Sequence, residues 1–133
     1  MKDIINKAYM ENNYNCAEST LYAANEKLDL GLPEDAIRLV SGFGGGMASG
    51  RVCGALAGAI AAISRVAVSD RGHTTPDFKD IMGGYVAKFV EAFGSTECSE
   101  LRPKYAKPEI RCKELVEANA QMLEEYLLQL KNK

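Results

Sequence analysis

The sequence predicts an all-α protein, a single compact bundle of about six to seven helices. Two observations favour this fold class. Apolar residues recur at helical rather than strand spacing in almost every segment of the 133-residue chain. The breaks between these segments carry capping residues, glycine or proline. Apolar residues make up 47% of the chain and charged residues 26%, which is enough for one hydrophobic core, so we expect one helical four-cysteine domain over residues 1–133.

The first three helices are predicted from their starting residues. The first covers about Lys2–Glu11. Asn15 begins the second, because its side chain can cap the helix while Glu18, three residues on, returns the bond of a capping box. That helix ends near Gly31. Proline suits the first turn of a helix, so the third is predicted over about Pro33–Val40.

The remaining helices follow a glycine-rich loop, Ser41–Gly50, which precedes a central apolar helix over about Val52–Val68. The longest weakly polar run in that helix, residues 52–63, is shorter than the roughly 17–25 residues that a membrane-spanning helix needs. We therefore expect a buried core helix and no membrane partner. The last three predicted helices are Pro76–Phe93, Thr96 to just before Pro103, and Pro108–Leu130.

The charge pattern limits the classes of partner. The formal net charge is -2, and acidic and basic residues are interleaved, so the chain lacks the basic patch that nucleic acid or an anionic membrane would need. Lys2, Asp3 and Lys7 come before any apolar run, so we expect no signal or transit peptide and a cytoplasmic location. In that compartment, scattered cysteines more often indicate redox or metal chemistry than structural disulfides.

The candidate catalytic and metal-ligating residues are the four cysteines, Cys16, Cys53, Cys98 and Cys112. The first three fall at predicted helix starts, and Cys112 lies within about a turn of one. Unsatisfied N–H groups and the positive end of the helix dipole stabilise a thiolate there, so we expect thiol pKa values below about 8.5. The alternative is that all four are ordinary core residues.

Cys53 is the predicted nucleophile among the four. Arg51 lies two residues before it and favours its thiolate, so we expect a pKa below about 8. Glu97 and Glu100 flank Cys98 and oppose a lowered pKa there. His73, in a polar loop, is expected to be solvated rather than catalytic.

Two chemistries fit four convergent cysteines. Four thiolates suit a tetrahedral zinc ion or an iron–sulfur cluster, with the cluster favoured if electrons move. Alternatively, a pair of cysteines cycles between dithiol and disulfide, and Cys98 and Cys112 lie in neighbouring segments that could meet. The long spacings between the cysteines mean that the fold would have to assemble either site.

The glycines form a second group of candidates. The loop falls short of a P-loop because Arg51 and Val52 stand where Lys and Ser or Thr are required. We expect a left-handed or close-approach conformation at Gly45 or Gly46. Gly54 and Gly58 leave one helix face almost without bulk, which another helix or a flat cofactor could approach. The candidate cofactor-binding residues are Gly44, Gly45, Gly46, Gly54 and Gly58.

These motifs resemble one known family. CGALAG preceded by GFGGGM, with cysteines in NCAE, FGSTEC and IRCKELV contexts, is similar to the C_GCAxxG_C_C family of redox-active proteins from Tyr14 to about Ala120. The resemblance maps the four family cysteines onto those of this chain. A similar module occurs in split-Soret cytochromes, where the cysteines are proposed to hold an iron–sulfur cluster. This chain has no CxxCH, so it has no covalent c-type haem site.

The leading hypothesis is therefore a redox or electron-transfer protein that uses its cysteines in a cluster, a metal site or a dithiol. It would act with a redox partner protein, and the smooth glycine–alanine helix faces favour a homodimer. The competing hypothesis is a non-catalytic module that binds a small molecule or a metal and has structural cysteines.

Overall fold

Seven α-helices account for most of residues 1–132, the part of the chain that the computed structural model describes. They are α1 (Lys2–Asn6), α2 (Cys16–Leu28), α3 (Glu34–Arg38), α4 (Gly54–Ala67), α5 (Phe78–Phe93), α6 (Cys98–Tyr105) and α7 (Lys113–Lys131). A wider helical turn, Lys7–Glu11, continues α1. Extended pairing among these residues is limited to two isolated β-bridges, and the all-α prediction is confirmed.

Helix α4 lies at the centre of the fold and packs against α2, α5 and α7. Its glycine face is turned to α2. A Cβ on Gly58 would lie 2.5 Å from the carbonyl oxygen of Ala17 and 3.1 Å from Cβ of Thr20. Such a contact lets two helix backbones approach closely. The face is thus filled by α2 and is not open to a flat cofactor at Gly58.

The start of α2 has the predicted capping box. The Asn15 side chain accepts a 3.0 Å hydrogen bond from the Glu18 N–H, and the Glu18 carboxylate accepts one of 3.1 Å from the Asn15 N–H. These bonds satisfy two donors that the helix itself cannot pair. The capping box therefore makes Cys16 the first residue of the helix, as the sequence motif predicts.

A buried polar contact anchors the start of α4 to the other core helices. Asn119 of α7 donates a 3.0 Å hydrogen bond to the carbonyl oxygen of Ala55, and Tyr85 of α5 donates one of 2.6 Å to the Asn119 side chain. All three residues are fully buried. Because an unmet polar group in the core is costly, this network favours one placement of α4 relative to α5 and α7.

Two predicted boundaries are wrong by several residues, and the starts of α4, α5 and α6 each lie two residues later than predicted. Helix α6 continues through Pro103 to Tyr105, because the Ala106 N–H bonds the Arg102 carbonyl at 2.8 Å and closes the last turn despite the missing proline donor. Helix α7 begins at Lys113 rather than Pro108, because residues 107–111 form a tight hairpin whose ends exchange two backbone hydrogen bonds. Cys112 therefore lies at the helix start itself.

Within residues 1–132, every helix is too short or too polar to cross a membrane.

Candidate functional site

All four cysteines lie at helix N-termini. Cys16 and Cys98 are the first residues of α2 and α6, while Cys53 and Cys112 are the N-caps of α4 and α7. All four are free thiols. Cys53 and Cys98 are 5% and 8% exposed, and Cys16 and Cys112 are half-buried. The predicted helix-start placement is thus confirmed, but the two pairs differ in access.

A short antiparallel bridge joins the helix starts of Cys53 and Cys98. The Cys53 N–H donates a 2.7 Å hydrogen bond to the Thr96 carbonyl, and the Cys98 N–H donates one of 2.6 Å to the Arg51 carbonyl. Residues 45 positions apart in sequence are thereby held side by side. Because both bonds involve the backbone of the cysteines, the bridge sets the relative position of α4 and α6 at the site.

The glycine-rich loop approaches Cys98 at Gly46. Gly45 and Gly46 have left-handed φ values of 65° and 64°, as predicted. A Cβ on Gly46 would lie 2.5 Å from the Arg51 nitrogen and 2.8 Å from Cβ of Cys98. No side chain fits there, so glycine is needed for the loop to pass between the bridge and α6.

The same loop also contacts the starts of α2 and α4. The Asn15 side chain donates a 2.7 Å hydrogen bond to the Ser41 carbonyl, and a Cβ on Gly44 would overlap the Asn15 side chain. A Cβ on Gly54 would overlap the sulfur of Cys16 and would lie 2.9 Å from the Phe43 carbonyl oxygen. The loop therefore brings the helix starts of Cys16, Cys53 and Cys98 into one region.

Cys112 is joined to this region through Tyr9. The Cys112 N–H donates a 3.3 Å hydrogen bond to the Tyr9 hydroxyl. The Arg111 guanidinium donates one of 2.7 Å to the Tyr9 carbonyl and lies 4.2 Å from the centre of its ring. Arg111 has a left-handed φ of 52°, part of the hairpin that precedes α7. The hairpin thus places the Arg111 side chain and the start of α7 against Tyr9, in the turn that continues α1.

A cavity of about 380 Å³ opens beside Cys16 and Cys112. Tyr9 and Gly45 line it together with three basic side chains, Arg102, Lys107 and Arg111. Cys53 and Cys98 are not among its lining residues. Of the predicted glycines, the cavity therefore includes Gly45, while Gly44, Gly46 and Gly54 are in contact with protein groups.

The thiol of Cys53 does not have the lowered pKa that the sequence suggested. Burial raises its pKa from 9.0 to about 11, although the N–H groups of Leu56 and Ala55 at the helix start lower it, and the charges of Cys16 and Cys98 raise it further. Arg51 is exposed and contributes no compensating charge. Loss of hydration outweighs the helix start here, so the predicted pKa below about 8 is wrong, and burial argues against Cys53 as the most reactive thiol.

Burial also raises the pKa values of Cys98 and Cys112. The Arg102 charge opposes this rise at Cys98, and Arg102 and Arg111 oppose it at Cys112. Glu97 and Glu100 are not the cause at Cys98: their carboxylates accept hydrogen bonds from Thr96 and Ser95. The charge of Cys16 raises the pKa values of Cys53, Cys98 and Cys112, so Cys16 is near enough to affect all three other thiols.

The sulfurs could serve as metal ligands by their chemistry, because thiolates suit iron and zinc. In the described part of the chain, however, no three cysteine, histidine, aspartate or glutamate side chains are gathered as a ligand group. His73 lies outside the cysteine region, on a polar turn between α4 and α5.

Three site residues were missed by the sequence analysis. Arg102 could have been found, because it lies one helical turn after Cys98. Arg111 directly precedes Cys112, but only the hairpin decides where its side chain lies. Tyr9 has no local signal, since it is brought to Cys112 from 103 residues away.

The fold and the site define an all-helical four-cysteine protein. The chain matches the family described as "Putative redox-active protein (C_GCAxxG_C_C)" over residues 14–126, and it belongs to that family. A relative from Archaeoglobus fulgidus, described as an uncharacterized protein, is 38% identical over an alignment of 99 residues, and the match covers 67% of this chain. The chain spans 66% of that relative's length, just under two thirds. No solved structure matches the chain.

Proposed function

We propose that this protein carries out thiol–disulfide redox chemistry and that Cys16 and Cys112 are its working pair. The observation that supports the proposal most is that these two thiols line one cavity, while Cys53 and Cys98 are buried and are not among its lining residues. Thiol–disulfide exchange requires access to the attacking sulfur. The accessible pair therefore differs from the Cys98–Cys112 pair that sequence proximity suggested.

Cys16 is the proposed attacking thiol. It is the first residue of a 13-residue helix, and helix N-termini carry unpaired N–H groups and the positive end of the helix dipole. Its nearness to the three other thiols lets a second cysteine attack the mixed disulfide that it forms. Cys112 suits this resolving step because it lines the same cavity as Cys16, where Arg102 and Arg111 partly offset the burial that raises its pKa.

The electrons balance in two steps. The Cys16 thiolate attacks a substrate disulfide, so that a bond forms between Cys16 and one substrate sulfur while the other leaves as a thiolate. The Cys112 thiolate then attacks the Cys16 sulfur and releases the second substrate thiolate. Two electrons pass from the protein dithiol to the substrate, and the protein retains a Cys16–Cys112 disulfide.

The test is mild oxidation of the reduced native protein, followed by digestion with a Glu-specific protease without reduction. Cleavage after glutamate separates Cys16 in peptide 12–18 from Cys112 in peptide 110–114. We expect these two peptides to be linked. When the oxidant is a small disulfide, we expect Cys112→Ser to accumulate a mixed disulfide between Cys16 and that reagent. The Cys53→Ser variant is the matched control and should still form the disulfide between Cys16 and Cys112.

Two results would contradict the proposal: thiols that stay reduced in the folded protein, or a disulfide other than the one between Cys16 and Cys112. A protein that stays fully reduced would instead favour a non-catalytic binding module with structural cysteines.

A second candidate function is electron transfer through an iron–sulfur cluster or a zinc site held by the four cysteines. The mutual effect of the thiols supports it, because Cys16 raises the pKa values of the other three and a bound cation would offset the cost of several nearby thiolates. Anaerobic incubation with iron and sulfide, or with zinc, tests it. Stoichiometric metal that protects Cys16 and at least two other cysteines from alkylation is the expected result, and no metal retention would exclude it.

A further inference from the structure

The cavity beside Cys16 and Cys112 carries an excess of positive charge. Arg102, Lys107 and Arg111 line it, and none of its lining residues is acidic. The positive charge of Lys107 is offset by Glu114, whose carboxylate lies 2.6 Å from the lysine nitrogen. The excess positive charge of the cavity therefore comes from its two arginines, Arg102 and Arg111.

Neither arginine is neutralised by a carboxylate. Arg111 contacts the carbonyl and the ring of Tyr9, which are uncharged partners. Within residues 1–132, the Arg102 side chain makes neither an ion pair nor a hydrogen bond, and it lies in an exposed position at the cavity. A planar guanidinium with free donors binds carboxylates through two parallel hydrogen bonds. Two such groups at one cavity favour an anionic ligand.

We propose, building on the thiol–disulfide function above, that the substrate is a small disulfide that bears carboxylates. The cavity volume of about 380 Å³ suits a small molecule rather than a folded partner. Arg102 and Arg111 would bind the carboxylates and so direct the disulfide bond to Cys16. They also stabilise the anionic thiolates that leave when the disulfide is reduced, and they raise the local concentration of anions before binding.

The experiment compares three aliphatic disulfides of similar size and different charge: 3,3′-dithiodipropionate (a dianion), 2-hydroxyethyl disulfide (neutral) and cystamine (a dication). The rate of mixed-disulfide formation at Cys16 is measured in the Cys112→Ser protein by acid quench and intact mass. Each rate is divided by the rate of the same disulfide with a free small thiol, which removes intrinsic reactivity. We expect the dianion to react roughly 10-fold faster than the neutral compound, and cystamine to react most slowly.

Two further measurements assign the preference to the cavity. Raising the salt concentration from about 0.02 M to about 0.5 M should remove most of the preference, because the interaction is between charges. Arg102→Gln should lower the preference about threefold or more, whereas Arg71→Gln, a matched loss of an exposed arginine outside the cavity, should leave it unchanged. Circular dichroism confirms that both variants fold.

The outcomes separate this inference from the function on which it rests. Equal normalised rates for the three disulfides, or a preference that Arg102→Gln does not lower, would overturn the inference while leaving thiol–disulfide exchange intact. A native protein that reacts with none of the three would overturn the proposed function and the inference with it.

Discussion

The sulfur of Cys16 lies against Gly54, so close that a Cβ on any other residue at this position would overlap it. This contact joins the first turn of α2 to the first turn of α4, one residue after Cys53. This contact explains why the CGALAG segment needs its first glycine: a side chain at this position would collide with a cysteine of another helix. The position of Cys16 therefore depends on a residue that has no functional group.

Gly54→Ala should destabilise the protein by about 1–3 kcal/mol, because the added methyl group would overlap the Cys16 sulfur and the Phe43 carbonyl in a packed region. Urea unfolding measures this loss. The alkylation rate of Cys16 should also rise as its sulfur is displaced toward the cavity. Gly83→Ala is the control: a Cβ there meets no atom within 4 Å on α5, so helix propensity should stabilise that variant by about 0.5–1 kcal/mol. Equal stability of the two variants would contradict the contact.

Gly46→Ala should cost far more stability than Gly45→Ala. Both residues have left-handed φ values, which cost a non-glycine residue about 1–2 kcal/mol. Only at Gly46 does a Cβ also overlap backbone atoms of Arg51, which adds roughly 1–3 kcal/mol of overpacking, while Gly45 has open space. Thermal or urea unfolding of both variants checks the difference. Similar unfolding free energies for the two variants would mean that the loop does not hold the hydrogen bond between the Cys98 N–H and the Arg51 carbonyl in place.

Cysteine alkylation should follow exposure rather than helix-start position. At neutral pH we expect iodoacetamide to modify Cys16 and Cys112 before Cys53 and Cys98, because the first pair lines the cavity and the second is buried. Mass spectrometry of a timed series reads each site. In urea the four rates should become similar, which controls for peptide detection. Faster modification of Cys53 in the folded protein would show that its helix start outweighs its burial.

The buried Cys53 thiol should make stability fall as the solution becomes alkaline. Its pKa is about 11 in the folded protein against an ordinary value of 9.0, so between these two values the unfolded chain releases a proton that the folded chain keeps. The stabilisation is fully present below pH 9.0 and is lost as pH rises through about 11. Two pKa units correspond to at most roughly 3 kcal/mol.

Cys53→Ala isolates this effect, because Cys98 and Cys112 titrate in the same direction in both proteins. The stability advantage of the wild type over the variant should shrink between about pH 8 and about pH 10.5. A constant difference across that range would show that Cys53 ionises with its ordinary pKa.

The sequence alone determined the helices and the presence of cysteines at their starts. Local signals carry this information: Asn15 and Glu18 cap α2 through bonds within one turn, and the spacing of apolar residues sets the helical period. The left-handed glycines of the loop were also predictable, since a run of glycines indicates backbone that side chains would obstruct. The family resemblance was visible in the same motifs.

Tertiary structure decided which cysteines are accessible and which charges act on them. Burial depends on all the packed helices together, and at Cys53 it outweighs the local helix start that the sequence revealed. The hairpin before α7 moved the helix start to Cys112 and placed Arg111 over Tyr9, a pairing across 102 residues that no local pattern encodes. Short-range hydrogen bonds and periodicity can be read along the chain, whereas desolvation and the meeting of distant charges exist only once the chain has folded.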